Sequence, residues 1–112
     1  MVNRMIIFGS GQIGHDALLF LGSERVCCFC DNNVSLVGTE RFDKLVISFE
    51  ELKSRYQKAI VIIAVAGNSA YEIAEQCEDN GVKDYLIFTF LKGTFSNLNR
   101  TSLLAVLDDQ ME

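Results

Sequence analysis

Three glycines at the spacing Gly-x-Gly-x-x-Gly constrain this chain more than any other feature. Gly9, Gly11 and Gly14 come directly after the apolar residues 5–8 and lead into the helical pattern of residues 12–21. A strand that turns through such glycines into a helix brings backbone N–H groups together at one point, as phosphate-binding turns of parallel sheets do. The motif therefore predicts a strand, turn and helix unit within a parallel sheet.

Short apolar segments recur along the chain and alternate with helical patterns. The predicted strands span residues 5–8, 26–30, 60–66 and 85–88, with a shorter edge strand at 45–47. Strands that alternate with helices are typical of a parallel sheet covered on both faces. We therefore predict an α/β fold, a three-layer, doubly wound (Rossmann-like) parallel sheet of about five strands.

Capping residues set the bounds of the predicted helices. The first helix ends at the glycine in position 22. Ser48 and Glu51 have the spacing of a capping box, which predicts a helix through Tyr56. The asparagine or serine at positions 68–69 is expected to cap a third helix, which ends at residues 80–81.

Each glycine of the motif has a separate task in a dinucleotide site. Gly9 permits the tight turn, Gly11 lets a pyrophosphate approach the backbone, and Gly14 lets the helix pack closely on the strand. The N–H groups of Gly11, Gln12 and Ile13 are expected to point at the anion, with the positive end of the helix dipole behind them.

An acidic residue at the end of the second strand indicates which dinucleotide is bound. Asp31 lies 20 residues beyond Gly11, where a carboxylate can accept hydrogen bonds from the adenosine ribose hydroxyls. The carboxylate also repels a 2′-phosphate, and Asn32 and Asn33 follow it instead of arginine. NAD is therefore preferred over NADP, while another adenine nucleotide, a nucleotide-sugar and a turn without any ligand stay open.

The loop after the central strand is expected to border the same crevice, because it leaves the same edge of the sheet. Asn68 in this loop either donates to the ligand or caps the next helix. The predicted cofactor-binding residues are Gly9, Ser10, Gly11, Gln12, Ile13, Gly14, Asp31, Asn32, Ala66, Gly67 and Asn68.

No complete set of catalytic residues is evident in the sequence. His15 has no acidic partner nearby, and it is expected to be a surface residue. Ser10 lies in Gly-Ser-Gly and not in the nucleophile elbow of hydrolases. The cysteines at 27, 28, 30 and 77 lack zinc-site spacing and are expected to be reduced and buried. We therefore expect a binding module, with no metal and no catalytic residue assigned.

The charge balance and the apolar segments bear on partners and location. The net charge of −5 provides no basic field for nucleic acid or for an anionic membrane, so neither is expected as a partner. The longest apolar run, residues 59–66, is too short to span a bilayer, which takes about 20 residues. With no secretory signal pattern at the N-terminus, a cytoplasmic location is expected.

Several segments together carry a resemblance to a known family. They are Ile-Ile-Phe-Gly-Ser-Gly-Gln-Ile-Gly, Cys-Phe-Cys-Asp-Asn-Asn, Gly38 and Leu-Val-Ile-Ser-Phe-Glu-Glu-Leu. Over most of residues 4–90 the chain resembles the NAD(P)-binding Rossmann-like domain of bacterial surface-polysaccharide enzymes of the CapD type, which include nucleotide-sugar dehydratases and epimerases. That family commonly has prolines beside the Val-Ile-Ser segment, where this chain has Leu45 and Phe49. The resemblance implies a cofactor role for the motif glycines and Asp31, and no activity.

These observations lead to a domain division and a main functional hypothesis. Residues 1–92 are predicted to form the dinucleotide-binding domain, and residues 93–112 a loop and helix that packs on it or links it onward. The main hypothesis is an NAD-binding module that is part or partner of a nucleotide-sugar or polysaccharide-modifying enzyme, either as a homodimer or beside a separate catalytic domain. The alternatives are a nucleotide-sensing regulatory domain, like those of potassium-channel regulators, and a nucleotide-sugar recognition domain of a transferase.

Overall fold

A computed structural model describes residues 5–88, and these form a single six-stranded sheet. The strands lie in the order β3-β4-β2-β1-β5-β6, and all neighbours run parallel except β3, which is antiparallel to β4. Their bounds are β1 (Met5–Phe8), β2 (Val26–Cys30), β3 (Glu40–Arg41), β4 (Lys44–Ile47), β5 (Ile60–Ile63) and β6 (Tyr85–Ile87).

Three α-helices cover the two faces of the sheet. They are α1 (Gln12–Leu21), α2 (Phe49–Arg55) and α3 (Asn68–Asp79), with a 3-10 turn at Ser23–Arg25. Helix α1 packs on one face through Ala17, Leu18 and Leu21, whereas α2 and α3 pack on the other. The predicted three-layer, doubly wound α/β fold with about five strands is confirmed, and the sheet has six strands, of which five are parallel.

Successive side chains along each strand point to opposite faces, so the core is divided into two clusters, one on each face of the sheet. Ile7 and Phe29 belong to the cluster under α1, whereas Ile6 and Cys30 belong to the cluster under α2 and α3, and all four are fully buried. A strand buried on both faces has no polar side, which explains why β1 and β5 read as continuous apolar runs.

Most predicted element bounds agree with the structure, and the differences have local causes. Ser48 caps α2, since its hydroxyl accepts a hydrogen bond from the Glu51 N–H at 3.1 Å. The prediction that Asn68 or Ser69 caps α3 is wrong, because Gly67 occupies the N-cap with a φ of 59° and no side chain caps the helix. Strand β5 ends at Ile63 and not at residue 66: the Ala64 N–H still donates to the Phe8 carbonyl oxygen, and residues 65–67 then lead into α3.

The segment at 45–47 is a strand but not the edge of the sheet. It belongs to β4, which pairs with β2 on one side and with β3 on the other. The edge is β3, a strand of two residues that the sequence analysis did not predict. A tight turn joins the pair at Phe42 and Asp43, whose φ angles of 51° and 68° suit a two-residue hairpin.

Several predictions concern residues outside the described range. The loop and helix predicted for residues 93–112 lie there, as does the boundary at residue 92. Within residues 5–88, no helix has both the length and the apolar character needed to cross a bilayer.

The strand order fixes where a ligand crevice can form. From β1 the chain proceeds through β2 to β4 on one side, and after α2 it crosses to β5 and β6 on the other. Loops that leave β1 and β5 therefore diverge at the carboxyl edge of the sheet, which is where α/β folds bind their ligands.

Candidate functional site

The turn after β1 is held in place by two of its glycines. Gly9 has a φ of 116°, and a Cβ there would lie 2.5 Å from the carbonyl oxygen of Ala64. A Cβ on Gly14 would lie 2.0 Å from the carbonyl oxygen of Gly9 and 3.3 Å from the Phe29 ring. Both positions are therefore closed to any side chain by the protein itself, as the sequence analysis predicted for the turn and for helix packing.

Gly11 differs, because nothing in the described protein requires a glycine there. It is exposed, its φ is −92°, and a Cβ would meet no atom within 4 Å. It is also the N-cap of α1, yet no side chain caps that helix and its first turn contains no acidic residue. Within residues 5–88 the backbone N–H groups of Gly11, Gln12 and Ile13 donate no hydrogen bond, and they lie at the positive end of the helix dipole.

Asp31 lies at the carboxyl end of β2 and is tied to the glycine turn. Its Oδ2 accepts hydrogen bonds from the Ser10 backbone N–H at 3.1 Å and from the Ser10 hydroxyl at 2.7 Å. Its Oδ1 accepts one from the Asn33 N–H at 2.9 Å. A carboxylate offers about four lone-pair positions, so one acceptor position on Oδ1 is left for a further donor.

Ser10 therefore connects the two halves of the candidate site. It is 1% exposed and is the only buried polar residue in the range 5–88. Because its hydroxyl proton is directed at Asp31, the side chain orients that carboxylate and is not a free donor for a ligand.

The remaining predicted residues lie where the chain leaves β1 and β5 at the carboxyl edge of the sheet. Gln12 is exposed and donates from its side chain to Asp16, and Ile13 is partly buried against the core. Ala66, Gly67 and Asn68 are exposed where β5 leads into α3.

Asn32 connects the loop after β2 to α3. Its amide and that of Gln76 on α3 exchange two hydrogen bonds, at 2.9 and 3.1 Å. The loop after β2 is thereby tied to α3, with Asp31 next to the connection.

Arg41 is a basic residue at the turn that sequence reasoning missed. Its Nε donates a hydrogen bond of 3.1 Å to the carbonyl oxygen of Ser10. The hairpin of β3 and β4 carries it there, and Phe42 in that hairpin stacks on His15 at a centroid distance of 4.1 Å. His15 is accordingly half-buried against an aromatic ring and not a free surface residue. No local pattern links Arg41 to a motif about 30 positions earlier, so the contact follows only from the fold.

The cysteines form part of the core beneath α2 and α3. All four are free thiols, and Cys28, Cys30 and Cys77 are buried. Burial raises the pKa of Cys28 to about 12 and that of Cys77 to about 11, and it raises the pKa of Cys30 as well. Protonated thiols are poor nucleophiles and poor metal ligands, and residues 5–88 contain no cluster of three metal-binding side chains.

Comparison with known proteins gives a structural likeness and no sequence relationship. No known sequence family matches the chain, and no curated protein matches it. The fold is similar to a crystal structure of RSP in complex with beta-NAD+ and operator DNA, at 19% identity and a TM-score of 0.56 over 96% of this chain and 62% of that one. It is also similar to a crystal structure of RSP described as a Rex-family repressor, at 19% identity and a TM-score of 0.54 over 93% and 62% of the two chains.

These comparisons support part of the resemblance drawn from the sequence and correct another prediction. They support a Rossmann-like domain and not the CapD-type module. The prediction that nucleic acid is not a partner is wrong, because a protein with a similar fold was solved with operator DNA. Net charge describes this chain alone, and the chain spans only 62% of the length of RSP.

Proposed function

We propose that this chain is an NAD-binding regulatory domain, which senses the dinucleotide and conveys its occupancy to a partner. The observation that carries the proposal is Gly11, an exposed N-cap glycine with open space around it and no cap on the helix behind it. A capping serine, asparagine or aspartate would stabilise α1 relative to glycine by a few tenths of a kcal/mol. A ligand that binds the N–H groups of α1 gives a reason why no capping residue occupies position 11.

The residues at the turn can be matched to the successive parts of NAD. The pyrophosphate lies against the N–H groups at the start of α1, where Gly11 leaves room for it. The adenosine ribose donates a hydroxyl hydrogen bond to the acceptor position that remains on Asp31 Oδ1. Asp31 would repel a 2′-phosphate in the same place, which favours NAD over NADP.

A regulatory role is supported better than a part in an enzyme. RSP, which has a similar fold, is a Rex-family repressor and was solved with beta-NAD+ and operator DNA. We propose by analogy that NAD binding here controls an assembly whose output lies in a partner or a further domain, nucleic acid included. The homodimer, the bacterial source and the cytoplasmic location remain predictions.

The test compares ligand binding between the native chain and Gly11→Asp. Aspartate is a preferred N-cap residue, so the variant should fold with unchanged or slightly raised stability. Its carboxylate would occupy the N–H groups and repel a diphosphate, so binding of NAD should fall at least tenfold. Calorimetric titration with NAD, NADP, ADP and a UDP-sugar measures the affinities, and urea unfolding measures stability.

Two results of this experiment would contradict the proposal. One is that no nucleotide binds the native chain, and the other is that Gly11→Asp binds NAD as well as the native chain does. A preference for the UDP-sugar over NAD would favour the nucleotide-sugar hypothesis instead. Ser54→Asp, at an exposed position on α2, is the matched control for the added charge and should leave NAD binding unchanged.

A further inference from the structure

Two contacts hold Arg41 at the glycine turn, one with the backbone of Ser10 and one with the ring of Phe42. Its Nε hydrogen bond to the Ser10 carbonyl oxygen is 3.1 Å long. Its guanidinium carbon lies 5.3 Å from the centroid of Phe42, and that ring stacks on His15 of α1. The hairpin of β3 and β4 is thus attached to α1 at the same place where Arg41 reaches the turn.

The carbonyl group that accepts this hydrogen bond belongs to the peptide unit that also contains the N–H of Gly11. The peptide bonds of residues 5–88 are all trans, and in a trans unit the C=O and N–H groups point in opposite directions. With the Ser10 oxygen turned toward Arg41, the Gly11 N–H is turned away from the hairpin. Glycine alone would not hold this orientation, because its backbone rotates with little steric restriction.

The charge of Arg41 is not neutralised by a neighbouring acid. Among the described side chains, no carboxylate forms an ion pair with it, and its N–H groups other than Nε–H have no hydrogen-bond partner. A hydrogen bond from a cation to a carbonyl oxygen polarises the peptide and strengthens the bond that its N–H donates. The positive charge therefore acts on Gly11 through the peptide unit as well as through space.

We propose that Arg41 is a positioning residue for the diphosphate of the ligand, which it serves by orienting and polarising the Ser10–Gly11 peptide. The inference rests on the proposed function and adds a specific requirement to it. Loss of Arg41 should weaken the binding of ligands that carry a diphosphate, and it should hardly affect the binding of the nucleoside part, which the proposed function assigns to Asp31.

The experiment measures dissociation constants for ADP-ribose and for adenosine, by calorimetry and by NMR titration respectively, in the native chain and in Arg41→Met. We expect ADP-ribose to bind about tenfold more weakly to the variant, which corresponds to ~1.4 kcal/mol and to the lower end of a charge-assisted hydrogen bond. The dissociation constant for adenosine should change less than twofold. The amide resonance of Gly11 in the ligand-free protein should also shift, since its peptide loses a hydrogen bond.

Lys44→Met is the matched control, because it removes one positive charge from the same hairpin. Lys44 donates to the carbonyl oxygens of Ser23 and Val26, away from the turn, and its loss should change ADP-ribose affinity less than twofold. The positioning role would be overturned if Arg41→Met lost adenosine and ADP-ribose binding equally, or lost neither. Binding of NAD by the native chain would still support the proposed function in either case. Failure of the native chain to bind ADP-ribose or NAD would instead reject the proposed function.

Discussion

At the scale of single residues, the packing of the protein requires two of the three motif glycines and not the third. Gly9 and Gly14 are closed by the protein, since a Cβ at either would lie within 2.5 Å of a backbone oxygen. Gly11 is open, and the protein offers no reason for it. A motif read as one signal thus contains two glycines that the packing requires and one that it does not require.

This distinction predicts opposite outcomes for two alanine substitutions. Gly14→Ala places a methyl group against the carbonyl oxygen of Gly9, so α1 must move from β1, and overpacking of this kind costs about 1–3 kcal/mol or more. Gly11→Ala meets no atom, and an alanine N-cap in place of glycine should cost about 1 kcal/mol at most. Urea unfolding measures the free energy of unfolding of both variants. Equal losses of stability would show that the two positions are not distinct.

At the scale of elements, the sequence predicts what local chemistry determines. The cap at Ser48, the bounds of α1 and the strands β1 and β2 follow from capping and from burial patterns, and the structure agrees with them. The edge strand β3 has only two residues, which is too short for any periodic pattern to appear. The contact of Arg41 with Ser10 depends on that strand, so it was beyond sequence reasoning, whereas the proximity of Asp31 to the turn was within it.

A bulge in β2 shows a second limit of local patterns. Met5 pairs with Val26 and Ile6 pairs with Cys28, so the register skips Cys27. Both Cys27 and Cys28 consequently pack toward the core under α2 and α3, although neighbours on a regular strand point to opposite faces. Alternation alone would place the two side chains on opposite faces, because a bulge depends on the pairing of two strands and not on the sequence of one.

The hairpin of β3 and β4 should act as one unit with the glycine turn. Phe42→Ala removes the ring that stacks on His15 and lies under the Arg41 guanidinium, which should cost about 0.5–1.5 kcal/mol of stability. The loosened hairpin should also weaken ADP-ribose binding several-fold, since Arg41 is no longer held at Ser10. Leu45→Ala, at a side chain of β4 that is 46% exposed, is the control and should leave affinity unchanged. Unaltered affinity in Phe42→Ala would show that the hairpin does not position Arg41.

At the scale of the whole molecule, the buried thiols couple the stability of the fold to pH. Cys30 is fully buried, and burial raises the pKa of its thiol above the ordinary value of 9.0. Unfolding exposes the thiol and returns its pKa to that ordinary range. The folded state therefore holds a proton that the unfolded chain releases, so stability is complete below about pH 9 and falls as pH rises above it.

Substitution of Cys30 measures how much this thiol contributes to the loss of stability at high pH. Between pH 9 and 11 the native chain should lose up to about 1.4 kcal/mol per pH unit through Cys30, in addition to what the other groups contribute. Cys30→Ala is less stable at pH 7, because it leaves a cavity, yet its free energy of unfolding should fall less steeply with pH. Urea unfolding at several pH values gives both slopes, with Cys27→Ala, at a half-buried position, as a comparison of similar volume. Parallel slopes for the native chain and Cys30→Ala would mean that the thiol ionises in the folded state as readily as in the unfolded one.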